Sequence, residues 1–252
     1  MRPKPKYPYL DHDGVLAFAH RGGDRVAPEN TMTAFHHAVE LGYRYLETDV
    51  HASKDGVVYA FHDDDLQRMV GERVAISTLT ANDIDALRLE GGHHIPRMAE
   101  LFETFPNARF NIDAKAWPVV GPLADLINQT ATQTRCCIGS FSDNRIKAVL
   151  RETGDMCHSL GPLGAARFRL AAFGPVPLSY MAGCLQFPTA QYGVEMVTRA
   201  SVEYAHKRGL HVHVWTINTE SEMHRLLDLG VDGLMTDDCV LLKRVLKSRN
   251  LW

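Results

Sequence analysis

The stretch Leu16-Ala17-Phe18-Ala19-His20-Arg21-Gly22-Gly23, together with the residues from there to Val50, decides the fold of this 252-residue chain. Four apolar residues make a short strand that stops abruptly at a histidine, an arginine and two glycines. Imidazole takes or gives a proton near neutral pH, while guanidinium stays charged and grips anions through several donors. That pair at a strand end points to acid–base chemistry on a phosphate. Pro28-Glu29-Asn30 then leads into Thr31 to Leu41, where Phe35, Ala38, Val39 and Leu41 recur at roughly helical spacing. Asn30 is the expected N-cap and Gly42 the expected stop. Tyr43 to Val50 reads as a second strand, so the chain opens strand–helix–strand, which implies a parallel sheet.

Working outward, six further short strands are expected: Ala108 to Asp113, Arg135 to Ser140, Met156 to Leu160, Gly183 to Phe187, Leu210 to Thr216 and Asp232 to Thr236. Helical patterns lie between them at Val119 to Thr132, Asp143 to Glu152, Thr198 to Arg208 and Glu220 to Leu229, with weaker ones at Arg97 to Phe105 and Ala165 to Ala172. Eight strands alternating with helices predict a (β/α)8 TIM barrel, a fold that takes about 250 residues. A doubly wound open sheet is the competing α/β architecture, but no Gly-x-Gly-x-x-Gly follows a strand. Val57 to Phe61 breaks the alternation. Only Ser53-Lys54-Asp55-Gly56 separates it from the second strand, too few residues for a parallel crossover and right for a hairpin. The expectation is a single domain, residues 1–252, with a small insertion after the second strand at about 51–96. Past the hairpin that insertion reads as polar and irregular, apart from a helix at Ala81 to Leu89.

Composition narrows the classes of function. A net charge of -3 and a pI near 6.5 leave no footprint for nucleic acid or an anionic membrane. No apolar run approaches the roughly 20 residues that cross a bilayer. Met1 to Asp13 mixes Pro, Lys and Tyr without an apolar core, so a secretory signal is not expected. The five cysteines lack metal-ligand spacing and read as buried free thiols, which predicts a cytoplasmic location.

In a barrel the chemistry sits at the C-terminal ends of the strands. Those ends carry His20-Arg21, then Glu47-x-Asp49, then Asp113-x-Lys115. Glu47 and Asp49, two apart, project from one side of their strand. With Asp113 they make three carboxylates, a hard-cation site for Mg²⁺ or Ca²⁺. A hairpin turning at Lys54 to Gly56 sets His62 opposite Thr48 or Asp49, at the carboxylates' level; a slip of one residue would turn it away. Trp215, at the end of the seventh strand, is expected to wall the pocket. Asp63 is placed to orient His62, and Glu29 to orient the first loop. The stretch Phe168 to Leu185 is read as a buried helix and its connection, or as an apolar lip that admits lysophospholipids. His211-x-His213 would suit zinc only with a third soft ligand, and none accompanies it in the sequence.

These residues carry a family resemblance. Ala19-His20-Arg21-Gly22, Pro28-Glu29-Asn30-Thr31, Glu47-Thr48-Asp49-Val50, Lys54-Asp55-Gly56 and Phe61-His62-Asp63 resemble the signature of the glycerophosphodiester phosphodiesterase family. So do Ile112-Asp113-Ala114-Lys115, Ser140-Phe141, Val214-Trp215-Thr216-Ile217-Asn218 and Asp232-Gly233-Leu234-Met235-Thr236-Asp237, in order along nearly the whole chain. The resemblance implies a barrel of the PLC-like phosphodiesterase type. It also implies divalent-metal-dependent hydrolysis of glycerophosphodiesters to glycerol 3-phosphate and an alcohol, placing the protein in lipid and glycerol metabolism. Carried over, His20 and His62 resemble the acid/base pair, Arg21 the phosphate-binding arginine, and Glu47 and Asp49 metal ligands. Lys115 matches the lysine that follows the third ligand, which is usually glutamate in the family and is Asp113 here. The implied route is two-step: the substrate's own 2-hydroxyl attacks phosphorus, and water opens the cyclic phosphate. Two other readings stand beside it, a lysophospholipase D-like activity on lysolipids and a non-catalytic barrel that binds phosphorylated ligands.

Overall fold

The computed structural model describes residues 3–23, 25–171, 181–191 and 193–252. Its elements run β1 (Leu16–Ala19), α1 (Met32–Glu40), β2 (Tyr45–Ala52), β3 (Val58–Ala60), α2 (Gln67–Val70), α3 (Ala81–Ala86), α4 (Met98–Thr104), β4 (Arg109–Ala114), α5 (Val120–Thr130) and β5 (Cys136–Gly139). Then come α6 (Asp143–Thr153), α7 (Pro162–Ala171), β6 (Cys184–Pro188), β7 (Ala190–Gln191), β8 (Val194–Glu195), α8 (Arg199–His206), β9 (His211–Trp215), α9 (Glu220–Leu229), β10 (Gly233–Thr236) and α10 (Cys239–Ser248). Seven strands pair in parallel in the order β5-β4-β2-β1-β10-β9-β6.

The sheet closes through a stave shorter than expected. Of Met156 to Leu160, only His158 bridges Ile138 and only Ser159 bridges Cys184, both in parallel sense. Backbone bonds on either side of it (Ser159 N–H to Ile138 O at 2.9 Å, Leu160 N–H to Cys184 O at 3.0 Å) join β5 to β6 and complete a TIM-like barrel. The rest of the alternation stands within a few residues of its expected limits, and α9 matches them. The pattern read from the sequence includes no helix after the last strand; the structure adds α10, capped by the Asp238 side chain on Leu241 N–H.

Strand alternation sorts the side chains. Phe18 of β1 turns into the barrel against Tyr45 and His213, with ring centroids 5.1 and 4.9 Å away. Ala17 and Ala19 turn outward into the larger core shared with the helices. The barrel floor is stoppered by the N-terminal segment. Tyr9, fully buried, has its carbonyl held by the Tyr45 hydroxyl at 2.8 Å and Arg109 Nη1 at 3.0 Å.

The hairpin falls in the expected register. Val50 pairs Ala60, and Phe61 N–H donates to Asp49 O at 2.9 Å, which sets His62 opposite Thr48. Beyond it the insertion is more ordered than its polar sequence implies. Tyr59, Phe61, Leu66, Ile76, Ile84 and Ile95 build a small apolar core of their own, and α3 stops at Ala86 because Leu87 is extended. Asn30 is not the cap of α1. Thr31 takes that role, accepting from Ala34 N–H, while Asn30 adopts φ 57° and accepts from the Thr48 hydroxyl at 2.7 Å. Residues 172–180, which hold Pro175 and Pro177 of the lip considered above, lie outside the described residues, as does the last residue of the expected Ala165 to Ala172 helix.

Candidate active site

At the C-terminal mouth of the barrel, His20, Arg21, Glu47, Asp49, His62, Asp113, Lys115 and Trp215 all line one cavity of about 620 Å³. Strand ends place most of them. His20 and Arg21 follow β1, Glu47 and Asp49 lie on the inward face of β2, and Asp113 pairs with Asp49 across β2 and β4. Arg21 carries a left-handed backbone (φ 53°, ψ 29°), a conformation sparsely used outside glycine and held here by its contacts. It aims the Arg21 N–H at Glu47 Oε2, 3.0 Å away. The guanidinium lies between two carboxylates, Nη1 at 2.9 Å from Glu29 Oε1 and Nε at 2.9 Å from Asp49 Oδ2. The Nε–H direction misses the Asp49 oxygen, so this second contact is an ion pair without a hydrogen bond. Gly22 lets the loop turn against α1: a Cβ there would meet Ala34 Cβ at 2.9 Å.

The two histidines are held in the same manner. His20 Nδ1 lies 2.6 Å from Asp237 Oδ1, and His62 Nδ1 lies 2.6 Å from Asp63 Oδ1. A carboxylate at Nδ1 keeps the proton there and leaves Nε2 to act as base, or as acid when charged. Each carboxylate is anchored in turn, Asp237 by Asn218 Nδ2 at 2.6 Å and Asp63 by Arg68 Nε at 2.7 Å. Arg68 also binds Glu29 at 2.6 Å, tying the insertion to the β1 loop. His51 holds His62 from behind, its Nε2 at 3.3 Å from the His62 carbonyl.

Burial dominates the electrostatics. Glu47, 5% exposed, is pushed up to about 7 by desolvation, with Asp49 adding to the rise and His20 and Arg21 opposing it. Asp113 is raised by burial and by Asp49, against the pull of Lys115. Burial pulls His20 down, but Glu47, 3.8 Å from Nε2, and Asp237 outweigh it and hold the imidazolium above its ordinary value. Burial would raise Asp237, yet its bond to His20 keeps it low.

Glu47, Asp49 and Asp113 bring carboxylate oxygens, the donors a hard divalent cation takes, to one cavity, but those oxygens do not all lie within 4.8 Å of one another. The raised pKa values of Glu47 and Asp113, and the buried Asp113 Oδ1, which has no hydrogen-bond partner, are what such a cation would relieve. In this arrangement Lys115 Nζ stands between Asp49 and Asp113, at 3.3 and 3.5 Å, so closing the three carboxylates on one ion requires that ammonium to withdraw. The opposite side of the cavity is apolar: Phe141, Leu160, Pro162, Ala165, Phe187 and Trp215. Phe141 is 66% exposed and meets Trp215 edge to face at 6.1 Å.

Sequence reasoning attached no role to Asp237, Asn218, Arg68 or His51. Asp237 and Asn218 sit in stretches quoted above, one residue after β10 and three after β9; Arg68 and His51 carry no pattern that separates them from surface or core residues. Of the apolar side, Trp215 is expected from the sequence as a pocket wall and lines the cavity; much of the rest comes from loops and α7 rather than from strand ends.

A model of the glycerophosphoryl diester phosphodiesterase family matches residues 20–241. The chain is 37% identical over 258 residues to the probable glycerophosphodiester phosphodiesterase 2 of Mycobacterium tuberculosis, spanning 98% of this chain and 97% of that one. It is 28% identical to the lysophospholipase D GDPD1 of Homo sapiens, across 92% and 88% of the two chains. Its fold superposes with a TM-score of 0.79, at 20% identity and 93% and 97% coverage, on a phosphodiesterase of Oleispira antarctica in complex with the product sn-glycerol-3-phosphate.

Proposed function

The chain belongs to the glycerophosphoryl diester phosphodiesterase family, and from that premise we propose that it hydrolyses glycerophosphodiesters to glycerol 3-phosphate and an alcohol by metal-dependent acid–base catalysis between His20 and His62. The observation that carries this reading is the pair of histidines on one cavity, each with a carboxylate 2.6 Å from Nδ1 and each with Nε2 left for proton transfer. The product bound to the Oleispira antarctica phosphodiesterase supports the same substrate class.

Glu47, Asp49 and Asp113 would hold a divalent cation, Mg²⁺ or Ca²⁺, which would supply charge neutralisation on the phosphoryl oxygens. Arg21, fixed between Glu29 and Asp49, keeps further guanidinium donors for the same oxygens, and Lys115 adds a second positive charge. One histidine Nε2 takes the proton from the substrate's 2-hydroxyl as that oxygen attacks phosphorus. The other gives its proton to the departing alkoxide, leaving a cyclic phosphate and a free alcohol. Water then opens the ring with the roles exchanged, and both histidines regain their starting states. Two histidines in opposite protonation states predict a bell-shaped pH–rate profile. The barrel and its inserted hairpin act together as one catalytic domain, and five buried free cysteines favour a reducing, cytoplasmic setting. No helix among the described residues is long and apolar enough to cross a membrane.

A second reading rests on the apolar side of the mouth. Phe141, Leu160, Phe187 and Trp215 give an alkyl chain a place to lie, which favours lysophospholipids as further substrates. Glycerol 3-phosphate release from a panel of glycerophosphodiesters, with Mg²⁺, Ca²⁺ or chelator, tests the main proposal; no release under any condition overturns it. Lysophosphatidylcholine set against glycerophosphocholine decides between the two readings.

A further inference from the structure

The barrel floor gathers a second set of ligating groups that the chemistry above does not use. Cys137 lies on β5, Cys157 on the short stave before α7, and Cys184 at the start of β6. Their sulfur atoms all fall within 4.8 Å of one another, and among the described residues no other three His, Cys, Asp or Glu ligand atoms gather so closely. Cys137 Sγ and Cys184 Sγ are 3.7 Å apart. Two thiolates on a tetrahedral zinc at about 2.3 Å per bond stand roughly 3.8 Å apart. All three cysteines are buried, at 0–1% exposure, and Cys137 pairs with Asn111 across β5 and β4.

His213 is the candidate for a fourth donor. It lies on β9, next to β6 and paired with Gln186, and is fully buried; its Nε2 has no hydrogen-bond partner and stands outside the cluster of three sulfurs, so it must swing toward them to complete a tetrahedron. Its other nitrogen, Nδ1, is engaged by the Gln186 amide at 3.3 Å, which in turn holds Asn111 Oδ1 at 2.7 Å. Metal-bound histidines are held through their second nitrogen in this way, and both amides can rotate so that Gln186 Oε1 accepts from Nδ1–H. The absence of a third soft ligand, which argues from sequence against zinc at His211-x-His213, is made good by three cysteines from separate staves.

We propose that Cys137, Cys157, Cys184 and His213 hold a structural Zn²⁺, taken up as the chain folds. Three thiolates and one imidazole match the preference of zinc for sulfur and nitrogen donors, and a donor set closed to solvent is that of a structural site. The placement has a mechanical use. The stave at His158 and Ser159 is the most weakly paired of the eight, and Cys157 adjoins it. A metal there ties four consecutive staves together: β5, the short one, β6 and β9.

The test needs no assumption about catalysis. The unaltered protein, made with zinc present and dialysed against EDTA to strip the mouth, is expected to keep a single zinc per chain by elemental analysis. The double variant Glu47→Ala/Asp49→Ala is expected to keep it too. Refolding the unaltered chain with Co²⁺ should give near-ultraviolet thiolate-to-cobalt charge-transfer absorption, and Cys157→Ser should lose both the zinc and that band. If Cys157→Ser does not fold, the cobalt spectrum of the unaltered chain decides alone. A protein without retained zinc, a metal lost with Glu47 and Asp49, a cobalt form lacking the sulfur band, or a Cys137–Cys184 disulfide in the purified protein would each overturn the proposal.

Discussion

The two sides of the barrel mouth are built on different principles. On the side of β1, β2, β4 and the inserted hairpin, each reactive group is held by at least one charged partner. His20 has Asp237 and Glu47, His62 has Asp63, Arg21 has Glu29 and Asp49, and Lys115 has Asp49 and Asp113. On the side of β5, β6, β9 and α7 the lining is mostly apolar, with Phe141 largely in solvent. The charged side fixes geometry, which proton transfer and phosphoryl stabilisation require. The apolar side offers area without direction, which suits the variable alcohol of a diester. Chemistry and substrate preference should therefore respond to different substitutions.

The largest expected effect comes from this division. His20→Ala and His62→Ala should each lower turnover by about 10²- to 10⁴-fold with saturating metal, the usual contribution of a positioned acid or base, while circular dichroism stays unchanged. Near-full turnover in both would remove the charged side as the seat of the chemistry.

Asp237→Asn should lower kcat by about tenfold or more with little change in KM, since it acts through His20. It should also move the pH limb set by His20 toward acid. Asp237 raises the His20 pKa, so losing its charge lowers that pKa. A limb that stays in place would show that Asp237 does not act through His20.

Asp113→Glu restores the family's usual glutamate. It should shift the divalent-cation concentration for half-maximal activity by roughly tenfold or less and leave kcat with saturating metal nearly unchanged. A requirement for cation that does not move would take Asp113 out of the ligand set.

Across the mouth, Trp215→Ala and Phe141→Ala should raise KM for a lysophospholipid by less than about tenfold and barely alter it for glycerophosphocholine. Equal effects on both substrates would erase the distinction between the sides.

Asp232 belongs to neither side and gives the control that leaves activity per folded molecule intact. It accepts from His206 Nε2 at 2.7 Å and from Val212 N–H at 2.8 Å. Burial would raise its pKa, but the bond and charge of His206 outweigh that and hold it below the ordinary value. A depressed folded pKa gives stability that is complete above the unfolded value of about 3.9 and is lost as pH falls through the folded one. Asp232→Asn should cost about 1–3 kcal/mol near neutral pH by denaturant unfolding, with a smaller loss as both proteins are acidified.

The same division explains what could be read before any coordinates. The charged side was legible because it sits at strand ends, where period-two alternation places Glu47 and Asp49 together and a short turn brings His62 back to their level. Asp237 and Arg68 were not, since their roles depend on where loops remote in sequence fold back. The Asn30 cap failed because a side chain taken up by Thr48 is no longer available to a helix end. The insertion's core was hidden by its spacing: Leu66, Ile76 and Ile84 keep neither a helical nor a strand period. The cysteines carry no spacing motif either, since one sulfur comes from each of three staves.

Hydrolysis of glycerophosphodiesters at this mouth is the proposal on which both sides of the comparison depend. Its most direct test is glycerol 3-phosphate release from glycerophosphocholine by the purified protein, with divalent cation, with chelator, and with His20→Ala and His62→Ala in parallel. The prediction is release that needs the cation and both histidines. Release that persists in chelator or in both variants, or no release from the unaltered protein with any cation, would contradict it.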